Sequence, residues 1–244
     1  MNRRRSLLHR RYKPSATIYR LIHWFYALIF LLIIYLGLTW LIDSDHFPVL
    51  NISISESENG YFSYVTQAEL ENAQRNSIVG NIFKVNLNTV KLEFEQISWI
   101  KNAEVQRILP DTIAVQLTER KPLAYWNDDN LIDTDANVFS ATIVEDLPYL
   151  YGIEGSEKIV VDTYSKIKVL LDTHELRVKR LIYAESSSWQ VELTNGITVK
   201  LGRGDTIGRV NRFVDFWPQL QSQSNNFTYV DMRYRDGFAI KYNK

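Results

Sequence analysis

The chain has 244 residues, with 28 Lys plus Arg against 28 Asp plus Glu and a formal net charge of zero. That balance argues against a strongly basic nucleic-acid binder and against an acidic disordered chain. Cysteine is absent, which excludes a disulfide framework, a thiolate zinc site and a cysteine nucleophile together.

The zero hides an uneven distribution. Arg3, Arg4, Arg5, Arg10, Arg11, Lys13 and Arg20 are seven positive charges with no acid among them, and Asp43 is the first acidic residue. The rest of the chain holds 28 acidic against 21 basic residues, a net of −7. At the junction lies Trp24–Ile42, 19 residues without a charge. As a helix this run is about 28 Å long, close to the hydrocarbon thickness of a bilayer. Trp24, Tyr26 and Trp40 stand near its ends, where amphipathic rings favour the headgroup level. A cleaved signal has a shorter apolar core followed by small residues. Here the run is followed by Asp43-Ser44-Asp45-His46-Phe47-Pro48. A core helix of this length would show a polar face. The run therefore predicts a membrane span over 22–42 behind a basic tail, 1–21. The positive flank places the N-terminus in the cytoplasm and residues 43–244 outside. The tail is read first as a topological signal, with contact to anionic lipid as a second reading.

Residues 43–120 read as a small α+β module. Val49–Ile54 alternates as a strand. Thr66-Gln67-Ala68-Glu69 fits a capping box opening a helix to about Asn76. Asn88 is the expected cap of a second helix, with Val90, Phe94 and Ile97 on one face. Two strands follow, Ala103–Leu109 and Thr112–Glu119, turning at Pro110-Asp111. This β-α-α-β-β order matches the POTRA architecture, and such modules usually bind other proteins.

Residues 121–244 read as a mainly antiparallel β domain with flanking helices. Leu123–Trp126 runs into an Asn/Asp-rich turn, and Leu131–Phe139 reads as a hairpin. Asp162 is the expected cap of a helix through His174, with Tyr164, Ile167, Leu170 and Leu171 inward. Trp189–Leu201 is the clearest hairpin, with Asn195-Gly196 as a type I′ turn pair. A helix from about Asp205 carries the stripe Ile207, Val210, Val214 and Trp217 and ends near Pro218, with Arg209 and Arg212 on its polar side. Tyr229–Tyr234 and Phe238–Tyr242 form a last hairpin at Asp236-Gly237. Its final strand is expected at a sheet edge, where free N–H and C=O groups template a partner strand. The competing reading is that Tyr234, Phe238 and Tyr242 fill the domain's own core.

Several short stretches fall in a familiar order. They are Trp99, Val105–Pro110 and Val115–Trp126; Leu147-Pro148-Tyr149-Leu150-Tyr151-Gly152; Ser188-Trp189, Asn195-Gly196, Leu201-Gly202-Arg203 and Arg209-x-x-Arg212-Phe213; and Tyr229–Tyr234 with Gly237. With the basic tail, single span, POTRA-like module and β domain, the chain resembles the bacterial cell-division family FtsQ/DivIB over nearly its whole length. Asp236-Gly237-Phe238 departs from the family pattern by carrying bulkier and more acidic groups. The resemblance implies a non-enzymatic scaffold of the inner membrane and division septum, without cofactor, metal, nucleic acid or small-molecule substrate. It implies FtsB and FtsL as partners, with an FtsB segment added to the terminal strands at Tyr234, Arg235, Gly237, Phe238 and Ile240. Arg233 and Arg235 are candidates for orienting that segment. Val105, Arg107 and Glu119 correspond to positions tied to recruitment.

The sharpest rival is a type II membrane glycosyltransferase, because Asp133-Thr134-Asp135 is a D-x-D able to hold a metal on a sugar nucleotide. A turn is the simpler home for those residues. His46 and His174 make no metal set, and Gly202-x-Gly204-x-x-x-Gly208 misses the dinucleotide spacing by one residue. Arg203-Gly204-Asp205 is expected to end a strand and cap a helix. Asn51-Ile52-Ser53 and Asn226-Phe227-Thr228 are sequons, meaningful only in a glycosylating compartment.

Overall fold

A computed structural model describes residues 16–43, 47–58, 60–78, 80–223, 227–235 and 237–242. The basic positions from Arg3 to Lys13, His9, His46, Asn226 and Asp236 lie outside the described residues. The chain divides into two compact units. One comprises Met1–Ser55, Gln67–Phe94 and Ala103–Gln116; the other comprises Glu56–Thr66, Glu95–Asn102 and Leu117–Lys244.

Helix α1 (Ala16–Asp43) opens the first unit. Its stretch Tyr19–Trp40 is the one helix among the described residues long and apolar enough to cross a membrane. It starts earlier than the uncharged run, because no Gly or Pro interrupts the chain between Pro14 and Gly37. Its large apolar side chains are exposed along its length, as a lipid-facing helix requires.

The next elements are β1 (Asn51–Glu56), α2 (Gln67–Ser77), α3 (Leu87–Glu95), β2 (Ile100–Ile108) and β3 (Thr112–Glu119), with the strands ordered β1-β3-β2. The β-α-α-β-β order is as expected, and α2 follows Thr66 directly. The cap of α3 is Asn86, not Asn88. Its Oδ1 accepts from the N–H groups of Asn88 (3.0 Å) and Thr89 (3.4 Å), so Asn88 already lies inside the helix. The helix stops at Glu95, and Ile97 falls beyond it. In the first unit the apolar face is Ile82, Val90, Phe94 and Ile113, all fully buried.

The second unit carries β4 (Pro122–Trp126), β5 (Asn130–Asp133), β6 (Val138–Phe139), β7 (Tyr149–Tyr151), α4 (Glu157–Asp172), β8 (Val178–Tyr183), β9 (Trp189–Leu193), β10 (Thr198–Gly202), α5 (Thr206–Gln223), β11 (Phe227–Asp231) and β12 (Ala239–Tyr242). Among the described residues these strands form one nine-stranded sheet, ordered β12-β11-β10-β9-β8-β7-β4-β5-β6. The pairings β4–β7, β7–β8 and β10–β11 are parallel and the others antiparallel. A parallel pair needs a long crossover, which α4 supplies between β7 and β8 and α5 between β10 and β11. Both helices bury their stripes on the sheet: Ile167 and Leu171 of α4, Val210, Phe213 and Trp217 of α5, against Leu181, Val191 and Leu201.

Several local expectations are corrected. Helix α4 begins at Glu157, so Asp162 is interior rather than its cap. The buried Val160 and Val161 extend the apolar stripe one turn upstream. The β9–β10 loop is not a type I′ turn. Gly196 alone of the Asn-Gly pair has positive φ (+86°), Gly196 N–H donates to Leu193 O (3.0 Å) and Leu193 N–H to Ile197 O (2.8 Å). This is a three-residue loop with the bulge that Gly permits. Pro218 lies inside α5 and does not end it; the buried Leu220 anchors a further turn. The last hairpin is not closed by two residues, because β11 ends at Asp231 and β12 starts at Ala239. Neither β7, with one buried residue between two tyrosines, nor β8, whose alternation Lys179-Arg180 interrupts, carries a strand pattern in the sequence.

Candidate partner-binding edge

Strand β12 is the end strand of the large sheet. It pairs with β11 through Val230↔Ile240 and Asp231↔Ala239, and its outer edge meets no other described strand. Its backbone groups on that side are open to a further strand. The residues that the resemblance assigns to partner binding gather here but play unequal parts. Phe238 and Ile240 are half-buried and pack against the domain core, Phe238 with its ring 5.2 Å from that of Phe216 on α5. Tyr234 and Arg235 are exposed in the connection before β12, as are Ala239, Lys241 and Tyr242 on the strand. Gly237 lies between, half-buried. The aromatic residues therefore divide: Phe238 serves the core, whereas Tyr234 and Tyr242 present their rings to solvent.

The connection from Met232 to Phe238 is held by α5. Arg212 donates through Nη1 to Arg235 O and through Nη2 to Met232 O (3.4 Å). Arg209 donates to Leu201 O and to Arg203 O (2.5 Å). On the polar side of α5, these two arginines satisfy loop carbonyls. Arg233 turns back on Asp231, with Nε 2.8 Å from Oδ1 and Nη2 2.6 Å from Oδ2. That hydrogen bonding holds the Asp231 carboxyl below the usual carboxylate range. Gly202, at φ +70°, makes room: a Cβ there would stand 2.8 Å from Arg233 Cγ. Asp205, Arg209, Arg212, Arg233, Tyr234 and Arg235 line a cleft of about 400 Å³ beside the strand.

The residues that the resemblance ties to recruitment lie on β2 and β3. Val105 and Arg107 lie two apart on β2, so they share one face of an edge strand. Both are half-buried, and Arg107 Nη2 donates to Val85 O (2.8 Å). Glu119 belongs to the second unit and is buried. Its carboxylate accepts from the main-chain N–H groups of Ser63 (2.8 Å), Tyr64 (2.7 Å) and Val65 (2.8 Å).

The D-x-D reading finds no support. Asp133 is buried, and its oxygens accept from Asp135 N–H (2.9 Å), Asn137 N–H (2.8 Å) and Arg120 Nη1 (3.2 Å). Asp135 pairs with Lys101 at 2.5 Å. Both carboxylates are committed to the turn and its neighbours. Asp205 caps α5 as expected, accepting from Gly208 N–H (2.9 Å).

Comparison with known proteins agrees with this architecture. Residues 47–120 match the domain described as POTRA domain, FtsQ-type, and residues 124–233 match Cell division protein FtsQ/DivIB, C-terminal. The chain is 35% identical over 225 residues to Cell division protein FtsQ of Neisseria meningitidis serogroup B, covering 91% of this chain and 94% of that one. It is 33% identical to the protein of the same name from Burkholderia pseudomallei, over 88% of each chain. With that of Escherichia coli K12 the identity is 32%, over 83% of this chain and 76% of the relative. The POTRA module and the helix-backed sheet thus stand in the same order as their matches, and the chain belongs to the FtsQ family of cell division proteins.

Proposed function

We propose that this cell division protein is a non-enzymatic, bitopic scaffold of the bacterial divisome. Its basic tail lies in the cytoplasm and residues 43–244 lie in the periplasm, with 43–120 serving recruitment and 121–244 serving partner capture at the septum. An FtsB-type partner adds an extended segment to the outer edge of β12, across Tyr234, Arg235, Gly237, Phe238 and Ile240, and brings an FtsL-type partner with it. Val105, Arg107 and Glu119 contribute to recruitment. The observation that carries the reading is the outer edge of β12, unpaired among the described residues and flanked by the exposed rings of Tyr234 and Tyr242. The seven-charge tail before the span supports the orientation.

Co-purification of the full chain with the FtsB-type protein of the same bacterium tests this. Phe238→Asp is expected to abolish capture, and the exposed Tyr234→Ala to weaken it about tenfold, or about 1.4 kcal/mol. Tyr234→Ala leaves the fold intact, because its ring lies in solvent. Full capture by both variants would place the partner elsewhere.

A further inference from the structure

An apolar collar sits at the end of the POTRA module where the chain arrives from α1. Three segments are stitched together there: Ile82 N–H donates to Phe47 O (2.9 Å), Val49 N–H to Gly80 O (3.1 Å) and Leu50 N–H to Asp111 O (3.0 Å). Around these bonds Leu50 is 69% exposed, Phe83 39%, Ile108 51% and Leu109 60%. Phe47 meets Phe83 edge to face at 5.5 Å. Large apolar side chains left in solvent on segments that main-chain bonds bring together mark an interaction surface.

Chain length identifies what covers it. Residues 44–46 alone separate Asp43, the last residue of α1, from Phe47. At ~3.3–3.6 Å per residue, Phe47 stands within about 15 Å of Asp43. Asp43 itself is three residues, about 4.5 Å of helix, beyond Trp40 at the outer end of the apolar stretch. The tether therefore keeps Phe47 within about 20 Å of the outer end of the apolar stretch, in reach of the headgroup layer, and makes the bilayer the nearest apolar partner of the collar.

We propose that Leu50, Phe83, Ile108 and Leu109 dip into the outer leaflet at the headgroup–acyl boundary, docking the POTRA module on the lipid surface. The contact is apolar rather than electrostatic: Asp43 ends α1, Asp45 lies in the tether and Lys84 adjoins Phe83, so the charges near the collar are mixed and anionic headgroups add no net attraction there. The inference rests on α1 crossing the bilayer.

The chain has no cysteine, so one introduced thiol labels one place. The full chain is reconstituted in phosphatidylcholine vesicles containing lipids with a quencher near the headgroup. A polarity-sensitive dye is attached at Leu50→Cys, Leu109→Cys, Leu32→Cys within the span, or Val144→Cys, a fully exposed site in the second unit. The Leu50 and Leu109 labels are expected to be quenched several-fold more than the Val144 label, equally at low and high salt. Quenching no greater than at Val144, with Leu32 still shielded in lipid, overturns the docking and leaves the span standing. If Leu32 also behaves as water-exposed, the span reading falls with it. Shielding that rises with protein density at constant quencher would assign the collar to a second copy of the chain, and also overturns the proposal.

Discussion

Glu119 shows how a residue's neighbours decide its role. The resemblance offers it for recruitment, yet its carboxylate is buried under three main-chain N–H groups. Replacing it with Ala leaves the buried Val65 N–H without a partner, at about 1–3 kcal/mol, and costs less at Ser63 and Tyr64, whose N–H groups are only partly buried and can turn to water. Glu119→Ala is expected to lower stability by roughly 2–4 kcal/mol in urea denaturation. Any recruitment defect in that variant has to be compared with one at the half-buried Val105, where the cost in stability is smaller. Asp231 makes a pH prediction. Its folded pKa is depressed, first by hydrogen bonding to Arg233 and against an opposing effect of burial. A depressed carboxyl contributes stability above its unfolded pKa of about 3.9 and loses it as pH falls through the folded value. The melting temperature of Asp231→Asn is therefore expected to lie below wild type at pH 7, with the gap closing below about pH 4. A gap constant with pH would show that the Arg233 contact contributes nothing specific. Neither pairing had a signature in the sequence. Glu119 reaches N–H groups more than fifty residues away, while the Asp-x-Arg spacing of 231 and 233 is too common to read.

At the scale of elements, α5 supports the edge strand β12 and the connection leading to it. Arg212 holds two carbonyls of the connection before β12, and one turn later Phe216 supports Phe238. The guanidinium serves both carbonyls because its donors form a rigid fork, which a lysine ammonium lacks. Arg212→Lys is expected to weaken partner binding about tenfold in calorimetric titration, a loss of about 1.4 kcal/mol, with little change in melting temperature. Unchanged affinity would mean the connection is ordered without Arg212. The amphipathic stripe of α5 was legible because it repeats at helical spacing, but its end was not. A proline inside a helix removes a hydrogen bond and crowds the preceding turn, so Pro218 reads locally as a stop. Burial of Leu220 on the sheet outweighs that local cost. The loop at Asn195-Gly196 shows the same limit: the dipeptide marks a hairpin reliably, whereas the loop length depends on how β9 and β10 pair.

At the scale of the whole molecule, residues 56–66 and 95–102 belong to the second compact unit. Within it Trp99 stacks on Tyr64 at 4.4 Å and meets Phe139 edge-on at 5.4 Å. Arg120 donates its N–H to Trp99 O (2.7 Å) and its side chain to Asp133. Tyr64 in turn donates to Glu145 (2.8 Å), and burial, then that bond, pushes the phenol up to about 12. Trp99→Ala is expected to cost about 3–5 kcal/mol, as truncation of a buried aromatic does. Hydrogen exchange should quicken in 56–66 and 95–102 and stay unchanged in the β9–β10 hairpin. Equal acceleration in both would show that the unit opens as a single block.

What the sequence determined alone is whatever a local pattern can carry. The uncharged run sets the apolar helix by its length, alternation sets β3 and the β9–β10 pair, and the ordered short motifs carry the family resemblance. Those signals depend on neighbours within a few residues, so no fold is needed to read them. The tertiary structure decided which strands are adjacent. The parallel pairs β7–β8 and β10–β11 join segments separated by whole helices, and their register comes from packing α4 and α5 onto the sheet. That packing puts β12 last in the order and leaves its outer edge open. It also sorts the terminal aromatic residues into Phe238, held against Phe216, and Tyr234 and Tyr242, left in solvent. Periodicity identifies a strand but not its neighbour, because adjacency is settled by the long-range burial of apolar surface.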